Sequence, residues 1–76
     1  MKKLTQEVFK GAPDWVESAA VNGDGDAYWY NSPECFLAQS HAEHYINAWI
    51  ERKSKFIGDG FDATDWRDSA IDREWG

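Results

Sequence analysis

The sequence has few of the residues that stabilise small secreted domains and none of the long apolar runs that cross membranes. Cys35 is the single cysteine in 76 residues, which rules out an internal disulfide and fits a reducing compartment. No stretch approaches the roughly 20 consecutive apolar residues of a membrane helix, and residues 1–3 lead into a polar segment rather than an apolar signal core. We therefore expect a cytoplasmic protein with no membrane partner.

Basic residues are scarce as well. Eight lysines and arginines face 14 aspartates and glutamates, which gives a formal net charge of -6. Binding to a phosphate backbone relies on Lys and Arg side chains that release counterions. We therefore expect no direct nucleic-acid binding, and a protein with a basic surface is the favoured partner.

Aromatic residues, by contrast, are abundant, with five tryptophans, four phenylalanines and three tyrosines. A chain of this length buries only about 60% of the surface that its unfolded form exposes. One aromatic side chain can bury about 150–250 Å². The composition predicts a single compact domain over residues 1–76, with most aromatic side chains in its core, and homo-oligomerisation is a second way to cover them.

The first third of the chain predicts one or two helical turns followed by a β-hairpin. Residues 4–10 favour the helical turns, with Thr5 as N-cap and with Gly11 and Pro13 as the end signal. Residues 15–21 and the aromatic run that begins at residue 27 flank an Asn-Gly-Asp-Gly-Asp turn, which is the strongest hairpin signal in the sequence.

The middle of the chain predicts the main helix, over residues 33–44. Ser32 is a good N-cap, Pro33 suits the first helical position, and Glu34 is favourable in the first turn. Apolar and aromatic side chains then recur at helical spacing, at Leu37, His41, Tyr45 and Trp49. Residues 45–56 are equally compatible with two strands joined by a turn around residues 52–55.

The last third predicts a short helical turn and a closing strand. Asp62 or Thr64 is the expected cap of the turn, and residues 69–73 have the character of a strand. The resulting fold class is α+β, with a small antiparallel sheet of three to four strands packed on one main helix.

Two motifs with metal-binding character fall short of a site. Asn22, Asp24 and Asp26 follow the opening of a calcium loop, but Ala27 and Pro33 stand where that loop needs glycine and glutamate. We interpret this segment as a plain hairpin turn whose side chains bond their own backbone.

A second motif combines Cys35, His41 and His44. The two histidines share one face of the predicted helix, but a fourth zinc ligand is missing. Nothing supplies an oxyanion hole for a Cys/His nucleophile pair. We expect Cys35 to lie in the core and the histidines on a partly exposed face, with no catalytic residue, metal or cofactor.

The strongest candidate for function is the acidic C-terminal quarter. Its carboxylates recur at a spacing of about three, which brings them together on a helical turn and predicts a focused negative patch. Side chains alternate along a strand, so either Trp29 or the pair Tyr28 and Tyr30 must face outward or into a second subunit. Trp75, next to the last residue, is hard to bury and is added as an interface anchor, since tryptophan is enriched at binding hot spots. The predicted partner-binding residues are Asp59, Asp62, Asp65, Asp68, Asp72, Trp29 and Trp75. The plainer interpretation of the carboxylates is a solvated surface with helix caps.

Parts of the chain resemble small accessory proteins of tailed phages and prophages. The shared features are a Pro-x-Trp start at Pro13, a Val-x-x-x-Gly hairpin at Val21, and an Asp-Trp-x-x-Ser-x-Ile-x-Arg ending over residues 65–73. Residues 34–55 follow no pattern of that group. The resemblance implies a phage setting, in which small acidic proteins bind and disable host machinery such as CRISPR complexes or restriction enzymes.

Three hypotheses of function result. The first is a non-enzymatic inhibitor that binds a host protein through the acidic surface, with imitation of nucleic acid as one form of it. The second is a nucleotide-binding oligomer, in which Trp29, Trp49 or Tyr45 stacks on a base; the phosphates are then held by Arg52, Lys53 and Lys55. The third is a structural or regulatory homo-oligomer.

Overall fold

The computed structural model describes residues 2–75, which form short β-strands and single turns of 3-10 helix. The strands are β1 (Ser18–Val21), β2 (Ala27–Tyr30), β3 (Leu37–Gln39), β4 (Tyr45–Asn47), β5 (Ser54–Gly58) and β6 (Ile71–Asp72). The 3-10 turns are Gln6–Phe9, Glu34–Phe36 and Trp66–Asp68. No α-helix occurs between residues 2 and 75, so the prediction of an α+β fold packed on one main helix is wrong.

The strands form two antiparallel sheets. The larger has the order β5-β2-β1-β6, and the smaller is the hairpin of β3 and β4. The predicted hairpin of β1 and β2 is confirmed, with Ser18 opposite Tyr30 and Val21 opposite Ala27. Its turn is local, because the Asn22 amide donates to the Asp26 carbonyl at 2.8 Å.

The predicted main helix over residues 33–44 is replaced by one 3-10 turn, the strand β3 and the tight turn that leads into β4. In β4 the side chains of Tyr45 and Asn47 are buried and that of Ile46 is exposed, which is the alternation of a strand. The inward positions of the hairpin thus include polar residues. For this reason the apolar pattern of the sequence shows no period of two.

Local hydrogen bonds also work against a helix here. The Ser40 hydroxyl accepts from the Ala42 amide at 3.2 Å, a side-chain bond that competes with helical pairing. Glu43 has a φ of 61°, in the left-handed region, which interrupts helical backbone. The Tyr45 amide donates a hydrogen bond to Asn22 Oδ1 at 2.9 Å, so the β1–β2 turn holds the start of β4 in place.

Gly23 lets these two turns meet. Its amide donates to the Glu43 carbonyl at 2.6 Å. A Cβ at position 23 would lie 2.7 Å from the Glu43 Cβ, which is too close for any other residue to fit without displacing the turn.

Both faces of the larger sheet are covered within the chain. On one face Ala20 and Tyr30 pack with Tyr45 and Trp66. The opposite face holds a second buried cluster, formed by Phe9, Val16 and Ala19 with Trp29 packed against it. Trp29 is therefore not the exposed anchor that the sequence predicted, because alternate residues of β2 pack into two different cores.

The chain ends follow the predictions in outline. Residues 4–10 contain one 3-10 turn, and Thr5 Oγ1 caps it by accepting from the Glu7 amide at 3.3 Å. The predicted closing strand is present as β6. The predicted cap of the last turn is wrong, because the 3-10 turn Trp66–Asp68 has no side-chain cap. Asp62 Oδ1 instead accepts from the Thr64 amide, one turn earlier.

Residues 45–56 contain two strands, as one interpretation of the sequence expected, but these strands do not pair with each other. β4 pairs with β3 and β5 pairs with β2. Asn31 holds the loop that connects β4 to β5. Its Oδ1 accepts from the Lys53 amide at 3.0 Å, and its Nδ2 donates to the Glu51 carbonyl.

A buried polar network joins the two sheets. Ser18 Oγ, on β1, donates to the Ser32 carbonyl at 2.7 Å, and Ser32 Oγ donates to Asn47 Oδ1 at 2.9 Å. Asn47 Nδ2 then donates to Asn31 Oδ1 at 3.0 Å. All four residues are buried, so each hydrogen bond lies in a medium where an unpaired polar group is costly.

Replacing Asn47 by alanine should destabilise the protein strongly. The change leaves the Ser32 hydroxyl and Asn31 Oδ1 without one partner each in the interior, at a cost of about 1–3 kcal/mol per group. We expect urea unfolding to show a loss of about 3 kcal/mol. Ile50→Ala is the control, since Ile50 is 94% exposed and should change stability by less than about 0.5 kcal/mol. A similar small effect from both variants would contradict the importance of the network.

Candidate acidic binding site

Three of the predicted aspartates meet at one cavity of about 210 Å³. Asp62, Asp65 and Asp68 line it together with apolar side chains from three separate parts of the chain. The remaining lining residues are Lys3, Leu4, Val21, Ser69 and Ile71. The site therefore combines carboxylates with an apolar surface, and we refer to it as the acidic cavity.

The turn that carries Asp65 and Asp68 is held from both sides. The Asp68 amide donates to the Asp65 carbonyl at 2.9 Å, which closes the 3-10 turn. Ser69 Oγ lies 2.7 Å from the Trp66 carbonyl and accepts from the Val21 amide at 2.9 Å. The Tyr45 hydroxyl lies 2.9 Å from that same Trp66 carbonyl. These bonds fix the backbone of the turn relative to β1.

Asp62 is held in its charged form. Its Oδ1 accepts from the Thr64 amide at 3.0 Å. The Thr64 backbone and side-chain hydrogen bonds, with a smaller effect of Lys3, lower the pKa of the Asp62 carboxyl below its ordinary value. The negative charge at this end of the cavity is thus present throughout the neutral range.

Few positive charges neutralise the acidic cavity. Lys3 is the single cation among its lining residues. The only ion pair formed by residues 2–75 joins Lys10 and Glu7, at 3.2 Å on the exposed side of the first 3-10 turn. Asp65 and Asp68 are exposed, so their charge faces solvent.

The other two predicted aspartates do not belong to this site. Asp59 is exposed in the bend after β5 and does not line the cavity. Asp72 is used within the chain, because its Oδ1 accepts from the Glu34 amide at 2.7 Å and its carbonyl accepts from Gln6 Nε2 at 2.8 Å. The spacing of the acidic residues alone does not distinguish the aspartates that line the cavity from those that do not.

The two predicted tryptophan anchors differ. Trp29 is an internal support, since its Nε1 donates to the Val8 carbonyl at 3.1 Å and its ring packs in the core. Trp75 is 56% exposed, and the Arg73 guanidinium lies 3.9 Å from the centre of its ring. Trp75 lines a different depression, beside Gln6 and Lys10. The structure does not bring either tryptophan to the acidic cavity.

The motif of Cys35 and two histidines is spread over separate elements. Cys35 is exposed at the second 3-10 turn, so the expectation of a core cysteine is wrong. His44 Nδ1 lies 3.1 Å from Ser40 Oγ in the β3–β4 turn.

In the β1–β2 turn, Asp24 Oδ1 accepts from the Asp26 amide at 3.0 Å, as the plain-turn interpretation of that segment predicted.

Sequence reasoning missed the apolar part of the acidic cavity. Leu4 comes from the N-terminal segment, Val21 from β1 and Ile71 from β6. They meet because the Asp62 amide donates to the Lys2 carbonyl at 2.6 Å and Ser18 and Ala19 pair with β6. No local pattern in the sequence signals these long-range contacts.

Comparison of the chain with known protein families, with curated proteins and with solved structures gives no significant match. Across residues 2–75, no helix has the length and apolar character that crossing a membrane requires.

Asp62→Asn should make stability less sensitive to acid. Since the folded pKa of Asp62 lies below its ordinary value of 3.8, the unfolded state binds the proton first, and the contribution of the carboxylate is lost as the pH falls through the folded pKa. The difference in Tm between the original protein and the variant should therefore be largest at neutral pH and shrink below pH about 4.

Thermal unfolding at a series of pH values measures this difference. Asp14→Asn is the matched control, because Asp14 is an exposed aspartate outside the cavity lining. A Tm difference for Asp62→Asn that stays constant from neutral to acidic pH would show that the Thr64 hydrogen bonds do not stabilise the charge.

Proposed function

We propose that the protein is a non-enzymatic binding protein that holds a basic segment of a partner protein in the acidic cavity. The observation that carries this proposal is the meeting of Asp62, Asp65 and Asp68 around a cavity with apolar walls. A lysine or arginine side chain has the matching chemistry, since its aliphatic stem packs on apolar surface and its charged head binds carboxylates.

The charge distribution supports a protein partner with a basic surface. Three aspartates face a single cation, Lys3, in the cavity lining. Such an excess of carboxylates raises the local concentration of positively charged groups and accelerates encounter with them. The same charges repel phosphate, which is consistent with a partner other than nucleic acid.

The pKa of Asp62 supports binding rather than proton transfer. A general acid or base at neutral pH works best with a pKa near the operating pH. The pKa of Asp62 is moved in the opposite direction, away from neutrality. Asp62 is thus suited to hold a cation and unsuited to exchange a proton.

The resemblance to phage accessory proteins, based on residues 19–28 and 57–73 together with the Pro-x-Trp motif at Pro13, supplies the biological setting of the proposal. In that setting the partner is a protein of the bacterial host, the place of action is the host cytoplasm, and occupation of its basic surface inhibits it. The acidic cavity is the place where such an inhibitor would take hold of a surface that normally binds nucleic acid.

Binding of a short oligoarginine peptide tests the cavity directly. For the double variant Asp65→Asn, Asp68→Asn we expect affinity to fall by about tenfold, because two exposed charge pairs are lost. Added salt should weaken binding by the original protein more than binding by the variant. Isothermal titration calorimetry at two salt concentrations measures both effects.

Two controls sharpen this test. A peptide of citrulline, the neutral analogue of arginine, should not bind, and Asp14→Asn should bind oligoarginine as the original protein does. Salt-insensitive binding that survives the double substitution would refute the proposal. Affinity purification of the tagged protein from a bacterial host, with the double variant in parallel, then identifies a partner that depends on the cavity.

A further inference from the structure

A second cavity lies between the two sheets and is chemically unlike the acidic cavity. Its volume is about 230 Å³, and its lining consists of polar and aromatic side chains without a carboxylate, lysine or arginine. The lining residues are Asn22, Tyr28, Tyr30, His44, Tyr45, Asn47 and Ser54. We call it the tyrosine cleft, since all three tyrosines of the chain meet there.

Tyr30 is the central group of the cleft. The residue is only 4% exposed, and its hydroxyl finds no hydrogen-bond partner among residues 2–75. Over the same residues no fully buried side-chain polar atom lacks a partner, so the Tyr30 hydroxyl keeps some exposure, and we place that exposure at the cleft that Tyr30 lines. A polar group this deep in the protein, directed into a cavity, is suited to bond a ligand.

The hydroxyl of Tyr30 stays protonated. Burial, with the neighbouring Tyr28 and Tyr45 as smaller causes, raises the pKa of the Tyr30 phenol well above its ordinary value. The group therefore donates as well as accepts hydrogen bonds over the whole neutral range.

The walls of the cleft are held by contacts behind them. The Tyr28 ring meets Phe56 edge to face at 5.5 Å between centroids, and the Tyr45 ring meets Trp66 in the same way at 5.7 Å. Asn22 is fixed by its bond from the Tyr45 amide, and Asn47 by the buried polar network. The site is thus pre-formed, which lowers the entropic cost of binding.

The chemistry of the lining selects the ligand. No aspartate, glutamate, lysine or arginine lines the cleft, so a charged ligand would lose its hydration without gaining a counter-charge. Hydroxyl and amide groups that both donate and accept match the hydroxyls of a sugar, and tyrosine rings pack on its apolar C–H faces. The volume is smaller than the 300–1,000 Å³ or so of a drug-sized site, which limits the ligand to about one ring.

From these observations we infer that the tyrosine cleft binds a small neutral polyhydroxyl ligand, a single sugar unit, between the two sheets. Tyr30 bonds the ligand at the base of the cleft. His44 takes part from the rim through Nε2, since its Nδ1 is engaged with Ser40. This site is independent of the acidic cavity, and its inference does not rest on the proposed function.

Titration of the isotope-labelled protein with neutral sugars, followed by NMR, tests the inference. The probes are D-glucose, D-galactose, D-mannose and N-acetyl-D-glucosamine. With at least one of them we expect saturable shifts at millimolar concentration in the amide signals of Asn22, Asn47 and Ser54. Tyr30→Phe keeps the ring and removes only the hydroxyl, so it should weaken this binding at least about fivefold, the equivalent of one hydrogen bond.

Two controls make every outcome decisive. Asp65→Asn should leave sugar binding unchanged, and Tyr30→Phe should leave oligoarginine binding unchanged, so failure of one site does not imply failure of the other. Tetramethylammonium tests an aromatic cage for a cation. Shifts with that cation alone, sugar-induced shifts outside the cleft, undiminished sugar binding by Tyr30→Phe, or no shift with any of the four sugars would each overturn the inference.

Discussion

The buried polar network between the two sheets is the constraint on which the rest of the structure depends. All three asparagines of the chain are buried, at positions 22, 31 and 47. A buried amide is tolerated only where its donors and acceptors are paired, so the hairpin of β3 and β4 has one orientation on the larger sheet in which these groups are satisfied. Hydrophobic burial alone is non-directional and would not select that orientation.

The same network explains which parts of the fold the sequence could predict. The β1–β2 hairpin is encoded locally, by glycines and aspartates in its turn and aromatic residues beside it, and it forms as predicted. The region around β3 and β4 is encoded by distant partners. Asn47 lies at a buried position, where it bonds Asn31, and Gln39 bonds the Arg67 carbonyl from an exposed position. Because polar residues occupy positions that usually carry apolar ones, the periodicity favours a helix that does not form.

The acidic cavity, too, could be predicted from the sequence only in part. A spacing of three among Asp62, Asp65 and Asp68 predicted their proximity, and turns of the chain, rather than an α-helix, bring them together. Asp72 is an aspartate in the same stretch of sequence, yet its carboxylate accepts a hydrogen bond from the Glu34 amide and does not line the cavity. The apolar walls come from strands and from the N-terminal segment. These apolar residues meet at the site because of the order of the strands in the sheet, and no local spacing in the sequence specifies that order.

Tyr45 lines the tyrosine cleft and also bonds the turn that carries part of the acidic cavity. Its ring lines the tyrosine cleft, while its hydroxyl bonds the Trp66 carbonyl in the turn that carries Asp68. Its amide is bonded to Asn22, which also lines the cleft. One side chain thus forms part of the cleft wall and helps to hold the backbone of the turn that carries Asp68. In a chain too short for a second core, this double use of a buried aromatic residue lets two chemically different surfaces share one scaffold.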